Sequence, residues 1–205
     1  IGNVLCRINF DKIIKILSKY TNLSKKEVEY NMCLVQKMND IGIVDIKFFL
    51  YKFLNIKSES LIEEIIDIWN KDVLIFDNFV IDFFETFRMK HGLKVALLSN
   101  IGTDHSIIVD NYFNNLHYEY SVFSNAIKHY SCDIGVRKPQ SLFYRSFLLE
   151  NEDFKECVYL DDCVKNLEAS LKFGFKAVEF DLSKTDYNSL KLRLNAIGNL
   201  ILNKD

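Results

Sequence analysis

The feature that most constrains this chain is a change in its apolar pattern partway along. Up to about Lys71 the apolar residues recur at helical spacing. Beyond it, continuous apolar runs of strand length (LKVALLSN, CVYLDD and FKAVEFD) alternate with helical segments. A strand that is apolar on both faces has to be covered on both sides. Strands alternating with helices imply a parallel sheet with helices on both faces. The expected fold class is α/β, a three-layer, doubly wound parallel sheet with a helical insertion near its start.

The individual elements follow from local chemistry. DKIIKILSKY sets Ile13, Ile14, Ile16 and Leu17 at helical spacing, and the next helix opens on Ser24 with Glu27 three residues on, a capping box. DIKFFLYKFL and SESLIEEIIDIWNK follow as helices, the latter capped by Ser58 or Ser60. In DNFVIDFFETFRMKHG, Val80, Phe83, Phe84 and Phe87 share a face and Gly92 stops the helix. YEYSVFS reads as a strand, Pro139 opens a helix through about Leu149, and Gly174 ends the helix of KNLEASLKFG.

Composition excludes several function classes. The 205 residues carry a net charge of −2, which gives no electrostatic case for a nucleic-acid or anionic-membrane partner. No apolar run reaches the ~18 residues a bilayer span requires. The five cysteines (Cys6, Cys33, Cys132, Cys157, Cys163) are odd in number and irregular in spacing, which fits reduced thiols in a cytoplasmic protein better than a disulfide framework or zinc site. His91, His105, His117 and His129 are scattered without metal-ligand spacing, and the aromatic-rich FFLYKF and FVIDFF read as core packing.

Ligands of open parallel sheets sit beyond the carboxyl ends of the strands. Three polar signals fall there: Ser99-Asn100 after VALL, Lys138 in GVRKP, and Asp161-Asp162 after VYL. A hydroxyl and an ammonium can hold phosphate oxygens. A pair of carboxylates that would otherwise repel can hold Mg²⁺, a hard ion that prefers oxygen ligands.

In that order and place, the motifs resemble those of the haloacid dehalogenase (HAD) superfamily of phosphohydrolases. VALLSN is similar to the second family motif, with Ser99 as the phosphate-binding hydroxyl and Asn100 beside it. GVRKPQSLFY is similar to the third, with Lys138 as its lysine, and VYLDDCVKN to the acidic fourth, with Asn166 supporting the metal shell. IGNVLCRINF is similar to the tail of a first motif, D-x-G-N-V, found in bacterial sugar-phosphate phosphatases. The resemblance covers essentially the whole chain. It implies a HAD-like core at 1–11 and 73–205 with a helical cap at 12–72. It further implies Mg²⁺ held by the Gly2 carbonyl, Asp161 and Asp162, catalysis by Ser99, Lys138 and Asp161, and a small phosphorylated metabolite as substrate. A monomer or weak homodimer is expected.

The pattern departs from the family in two places. The aspartate that attacks phosphorus would immediately precede Ile1, together with the apolar central strand leading into it, and neither is in the sequence. We expect the natural chain to be longer, because a doubly wound core without its middle strand leaves a gap between the VALLS and VYLDD strands. Gly2 stands where many of these phosphatases carry a second aspartate as acid and base; Arg7 and Asn9 lie downstream without an assigned role. Two other functions compete: a catalytically dead homologue that binds or regulates, and a metal-free 2-haloacid dehalogenase, for which paired carboxylates have little use.

Overall fold

The computed structural model describes residues 1–116 and 123–202. Four helical segments occupy the stretch with helical periodicity. Helix α1 (Asp11–Tyr20) buries Ile13, Ile14 and Leu17. Helix α2 (Lys25–Asn39) starts with the expected capping box, Ser24 and Glu27 each satisfying the other's backbone N–H. A one-turn α3 (Ile46–Phe48) runs into a π-helical stretch, Phe49–Phe53, where a regular helix was expected. Helix α4 (Glu59–Lys71) is capped by Ser58 and buries Leu61, Ile62, Ile65, Ile68 and Trp69. These helices bury their apolar faces against one another in a core of their own, which includes Leu17, Val28, Phe49 and Ile65.

The chain enters and leaves this helical layer through a short antiparallel neck. Strand β1 (Cys6–Ile8) pairs with β2 (Leu74–Phe76) in the register Cys6–Phe76, Arg7–Ile75, Ile8–Leu74. Neither strand was legible from apolar pattern, because three residues are too few to show a period.

Beyond the neck, α5 (Asn78–His91) ends at Gly92, whose φ of 64° is the left-handed conformation a helix stop uses. Strand β3 (Ala96–Ser99) then pairs in parallel with β4 (Ile127–Tyr130). The expected strand YEYSVFS lies largely outside the described residues, and its described end, Phe123-Ser124, is in a turn. The observed partner of β3 follows it, in AIKHY, where Lys128 and His129 break the apolar run. Strand β5 (Val158–Asp161) pairs in parallel with β6 (Lys176–Glu179). The remaining helices are α6 (Thr103–Asn114), α7 (Ser131–Ile134), α8 (Ser141–Glu150), α9 (Val164–Leu171) and α10 (Tyr187–Leu202). Of the described residues, none forms a helix long and apolar enough to cross a membrane.

Neighbouring strand residues point to opposite faces, so the two cores they enter must lie on opposite sides. Leu97 and Leu160 belong with Val80, Val109, Phe113 and Leu194, from α5, α6 and α10. Leu98 and Tyr159 belong with Phe143, Phe147 and Leu167, from α8 and α9. The strands are therefore covered by helices on both faces, the α/β three-layer arrangement expected. Among the described residues the sheet is not continuous, however: it is split into three two-stranded pieces, β1–β2, β3–β4 and β5–β6. Between β3 and β5 lies a cavity of about 750 Å³.

The helical layer meets the sheet layers at close range. His105 of α6 bonds through Nε2 to the Trp69 carbonyl at 3.0 Å and stacks on the Trp69 ring with centroids 4.4 Å apart. A carbonyl only accepts, so Nε2 carries the hydrogen. At Gly102, just before α6, an added Cβ would lie 1.7 Å from Asn39 Oδ1. Asn39 is buried and held by a 2.9 Å bond from Nδ2 to the Val44 carbonyl, so it has little freedom to yield. Gly102→Ala should therefore destabilise the fold by about 1–3 kcal/mol, the usual cost of overpacking. Urea denaturation checks this, and an unchanged midpoint would show that Asn39 moves freely.

Candidate active site

Each element that ends at the carboxyl side of the sheet delivers one polar group there. Ser99 closes β3, and its buried hydroxyl makes one long contact, 3.5 Å to the Asn100 carbonyl. Asn100 brackets the backbone of Lys138: Lys138 N donates to Asn100 Oδ1 at 2.8 Å, and Asn100 Nδ2 donates to the Lys138 carbonyl at 3.0 Å. The following loop is pinned by Ser131, which accepts from Ile101 N at 2.9 Å. The β3 end and the Lys138 loop are thus fixed to each other, although 38 residues separate them.

Lys138 and Asp161 form an ion pair at 2.7 Å, with side chains only 6% and 3% exposed. Charges so deeply buried persist only when fully paired. The ammonium donates its three hydrogens to the Asp161 carboxylate, to the Leu98 carbonyl at 2.9 Å and to the Tyr159 hydroxyl at 3.1 Å. Asp161 accepts four bonds. Oδ2 takes Lys138 and the Tyr159 hydroxyl, and Oδ1 takes Cys163 N and Asn166 Nδ2, both at 2.9 Å. Burial pushes the Asp161 carboxyl up, but the Lys138 charge and the bonds from Lys138, Tyr159 and Asn166 outweigh it and leave the carboxyl at about 2. The Tyr159 hydroxyl is raised by burial and by Asp161, so it stays protonated.

Asp162 points elsewhere. It accepts from Asn3 Nδ2 at 3.0 Å, and Asn3 is tied to the end of the sheet by its carbonyl, which accepts from Leu182 N at 2.8 Å. Asn3 sits at φ 53°, the left-handed region Asn tolerates better than most residues. The turn Asn3 helps to form sets Gly2 beside it, and the Gly2 carbonyl accepts no hydrogen bond among the described residues. Those residues contain no group of three or more His, Cys, Asp or Glu that could cage a metal. The donors on offer are oxygens, the Asp162 carboxylate and the Gly2 carbonyl. That set suits a hard cation that keeps most of its water, as Mg²⁺ does.

The helical layer covers this end. A void of about 30 Å³, room for a water or two, lies between Gly2, Ser99 and Asn100 on one side and Gln36, Asp40 and Trp69 on the other. Asp40 accepts from Arg137 Nη2 at 2.9 Å, which links the end of α2 to the residue preceding Lys138. Burial pushes the Asp40 carboxyl up to about 6, with Arg137 opposing.

Every residue marked in the sequence therefore falls near this sheet end: Gly2, Ser99, Asn100, Lys138, Asp161, Asp162 and Asn166. Sequence reasoning missed Tyr159, Asn3 and the Asp40–Arg137 pair. Tyr159 could have been found, since it lies two residues before Asp161 on one strand and so shares its face. The others are long-range partners that no local pattern marks. Of the histidines, His105 is a buried interlayer contact and His117 lies outside the described residues.

No family model and no curated protein matches the sequence. Solved structures do match. The HAD family enzyme BT-2542 of Bacteroides thetaiotaomicron superposes with a TM-score of 0.71 at 18% identity, covering 93% of this chain and 95% of that one. Its wild-type complex with magnesium and inorganic phosphate matches at 0.70, and an aspartate-to-alanine mutant in the same complex at 0.69, with the same identity and coverage. The chain has the HAD fold.

Two measurements follow from the buried charges. Lys138→Met should cost about 3–5 kcal/mol of stability, because Asp161 is left unpaired in the interior. Adding Asp161→Asn should recover part of that loss, which a double-mutant cycle in urea would read. Asp40 has the opposite linkage to an ordinary paired carboxylate. Its folded value, about 6, lies above the unfolded one, so the folded state holds the extra proton and stability falls as pH rises from about 4 to about 6. The full effect is on the order of 2–3 kcal/mol. Asp40→Asn should flatten the pH dependence across that window.

Proposed function

We propose that this chain is the phosphate- and metal-binding body of a Mg²⁺-dependent phosphatase acting on a small phosphorylated metabolite, with a sugar phosphate as one candidate. The observation that carries the reading is the buried Lys138–Asp161 pair at the carboxyl end of β5, with Ser99 at the same end of β3. A cation is costly to bury, and this one is held where an anion would be bound. The solved neighbours that hold magnesium and inorganic phosphate support the same chemistry here.

In this reading the Ser99 hydroxyl, with only a long internal contact, donates to a phosphoryl oxygen. Lys138 supplies positive charge from a position fixed by Asp161, Tyr159 and the Asn100 bracket. Asp162 and the Gly2 carbonyl would hold Mg²⁺, which when bound neutralises charge on the transferring group. Asp161, with four accepted bonds already, acts as the counterion of Lys138 and not as a direct ligand. Asn166 steadies Asp161, and Asn3 orients Asp162. Residues 12–72 act as a cap that excludes water over the site. The attacking aspartate belongs immediately before Ile1. The enzyme is proposed to work in the cytoplasm without nucleic acid.

The test adds an apolar strand ending in aspartate directly before Ile1 and assays an aryl phosphate. That form should turn over with Mg²⁺ and stop in EDTA, whereas the 205-residue chain should bind phosphate without turnover. Asp162→Ala should abolish Mg²⁺-dependent turnover, and Asn3→Ala should weaken Mg²⁺ affinity by about 10–100-fold. Phosphate binding with no turnover even in the extended form would favour a binding or regulatory protein. EDTA-resistant activity on a 2-haloacid would favour the dehalogenase reading.

A further inference from the structure

Hydrolysis of a phosphate ester moves protons as well as a phosphoryl group, and Gly2 brings no side chain to move them. An alkoxide leaves poorly, so an alkyl ester needs a proton delivered to its departing oxygen by a group within hydrogen-bond reach. Gly2, two residues after the proposed attacking aspartate, shares the small void under the helical layer with Ser99 and Asn100.

Among the described residues that line this void, two side chains titrate, His105 and Asp40. His105 is committed. Its Nε2 hydrogen goes to the Trp69 carbonyl, its ring stacks on Trp69, and burial holds it below its ordinary value, so it stays neutral. Of the nearby acids, Asp161 is saturated by four bonds, and Asp162 is held by Asn3 for the metal.

Asp40 differs from both. It caps the C-terminal end of α2, one turn after Gln36, which lines the void with it. It is 3% exposed. Oδ2 accepts from Arg137, whereas Oδ1 accepts no hydrogen bond among the described residues. The partial negative charge of a helix C-terminus disfavours a carboxylate, and burial disfavours it further. Arg137 and Lys138, the charged groups facing it from the loop between α7 and α8, favour it. The balance leaves the carboxyl at about 6, where it can both give and take a proton.

We propose that Asp40 is the acid and base of the reaction, supplied by the helical layer in place of a side chain at Gly2, and that it fits the site to phosphate esters of alcohols. This rests on the phosphatase reading above. The aspartate oxygen bonds to phosphorus as the P–O bond to the leaving group breaks, and the leaving oxygen takes the Asp40 proton and departs as an alcohol. Asp40, now a carboxylate against Arg137, takes a proton from the water whose oxygen bonds to phosphorus. The aspartyl P–O bond breaks, phosphate is released and the carboxyl is restored.

The experiment compares an alkyl phosphate with nitrophenyl phosphate in the aspartate-extended form. A nitrophenolate leaves without help, so a missing acid is felt by the alkyl ester alone. Asp40→Asn should lower kcat/KM by about 10²–10⁴-fold for the alkyl ester and by less than about tenfold for the aryl ester. The alkyl-to-aryl ratio should fall as pH rises past about 6, and Asp40→Asn should remove that dependence. Arg137→Gln breaks the same ion pair but keeps the acid, so it should keep most of the ratio. In the 205-residue chain, carboxyl-carbon NMR should find Asp40 titrating near 6. No turnover of either ester would overturn the phosphatase reading and this proposal with it. Turnover in which Asp40→Asn slows both esters equally, or neither, would overturn this proposal alone. So would a ratio lost equally in Arg137→Gln, or an Asp40 that titrates below about 4.

Discussion

The ion pair between Lys138 and Asp161 is the constraint on which the rest of the site depends. An ammonium and a carboxylate out of water are tolerated only when their remaining hydrogens and lone pairs are also satisfied. The neighbours follow from that requirement. Tyr159 accepts from one charge and donates to the other, Asn166 and Cys163 N fill the far oxygen, and the Leu98 carbonyl takes the last ammonium hydrogen. Because those partners come from β3, β5, the following loop and α9, satisfying two charges fixes four segments relative to one another. Asn100 adds a fifth constraint from the backbone side.

The same arrangement divides labour between two adjacent acids. Asp161 lies inside the sheet end and is saturated, so it can only hold Lys138 in place. Asp162 lies one residue further, turned toward the Asn3 turn and partly exposed, with lone pairs to spare. Alternation along an extended backbone is enough to separate them. Two like charges side by side in sequence are not side by side in function.

Most of the fold was readable because its signals are local. The capping box at Ser24, the stop at Gly92 and the apolar runs of β3, β5 and β6 each depend on residues a few positions apart. The failures arise where a local signal is missing, blurred or overridden. Strand β4 carries Lys128 and His129 and is only partly buried, so its sequence lacks an apolar run. Helix α10 has exposed Leu192, Leu200 and Leu202 beside buried Leu190 and Leu194, which blurs its period. The π-helical turn at Phe49–Phe53 answers to packing inside the helical core and not to propensity. At the site, residue types at strand ends were visible, whereas the Asn3–Asp162 and Asp40–Arg137 contacts span 159 and 97 residues and exist only once the chain is folded.

The split sheet has a consequence for how this protein behaves among its copies. An open strand edge is a template for another chain, and sheets that present one outward invite edge-to-edge aggregation. Here the edges of β3 and β5 that have no strand partner among the described residues both line the cavity between them, walled by helices on both faces. The strands that bound these pairs on the other side, β4 and β6, carry Lys128, ion-paired with Asp110 at 2.9 Å, and the exposed Lys176, and an exposed edge lysine disfavours an approaching strand. A strand entering between β3 and β5 would therefore meet two edges already shielded from other molecules.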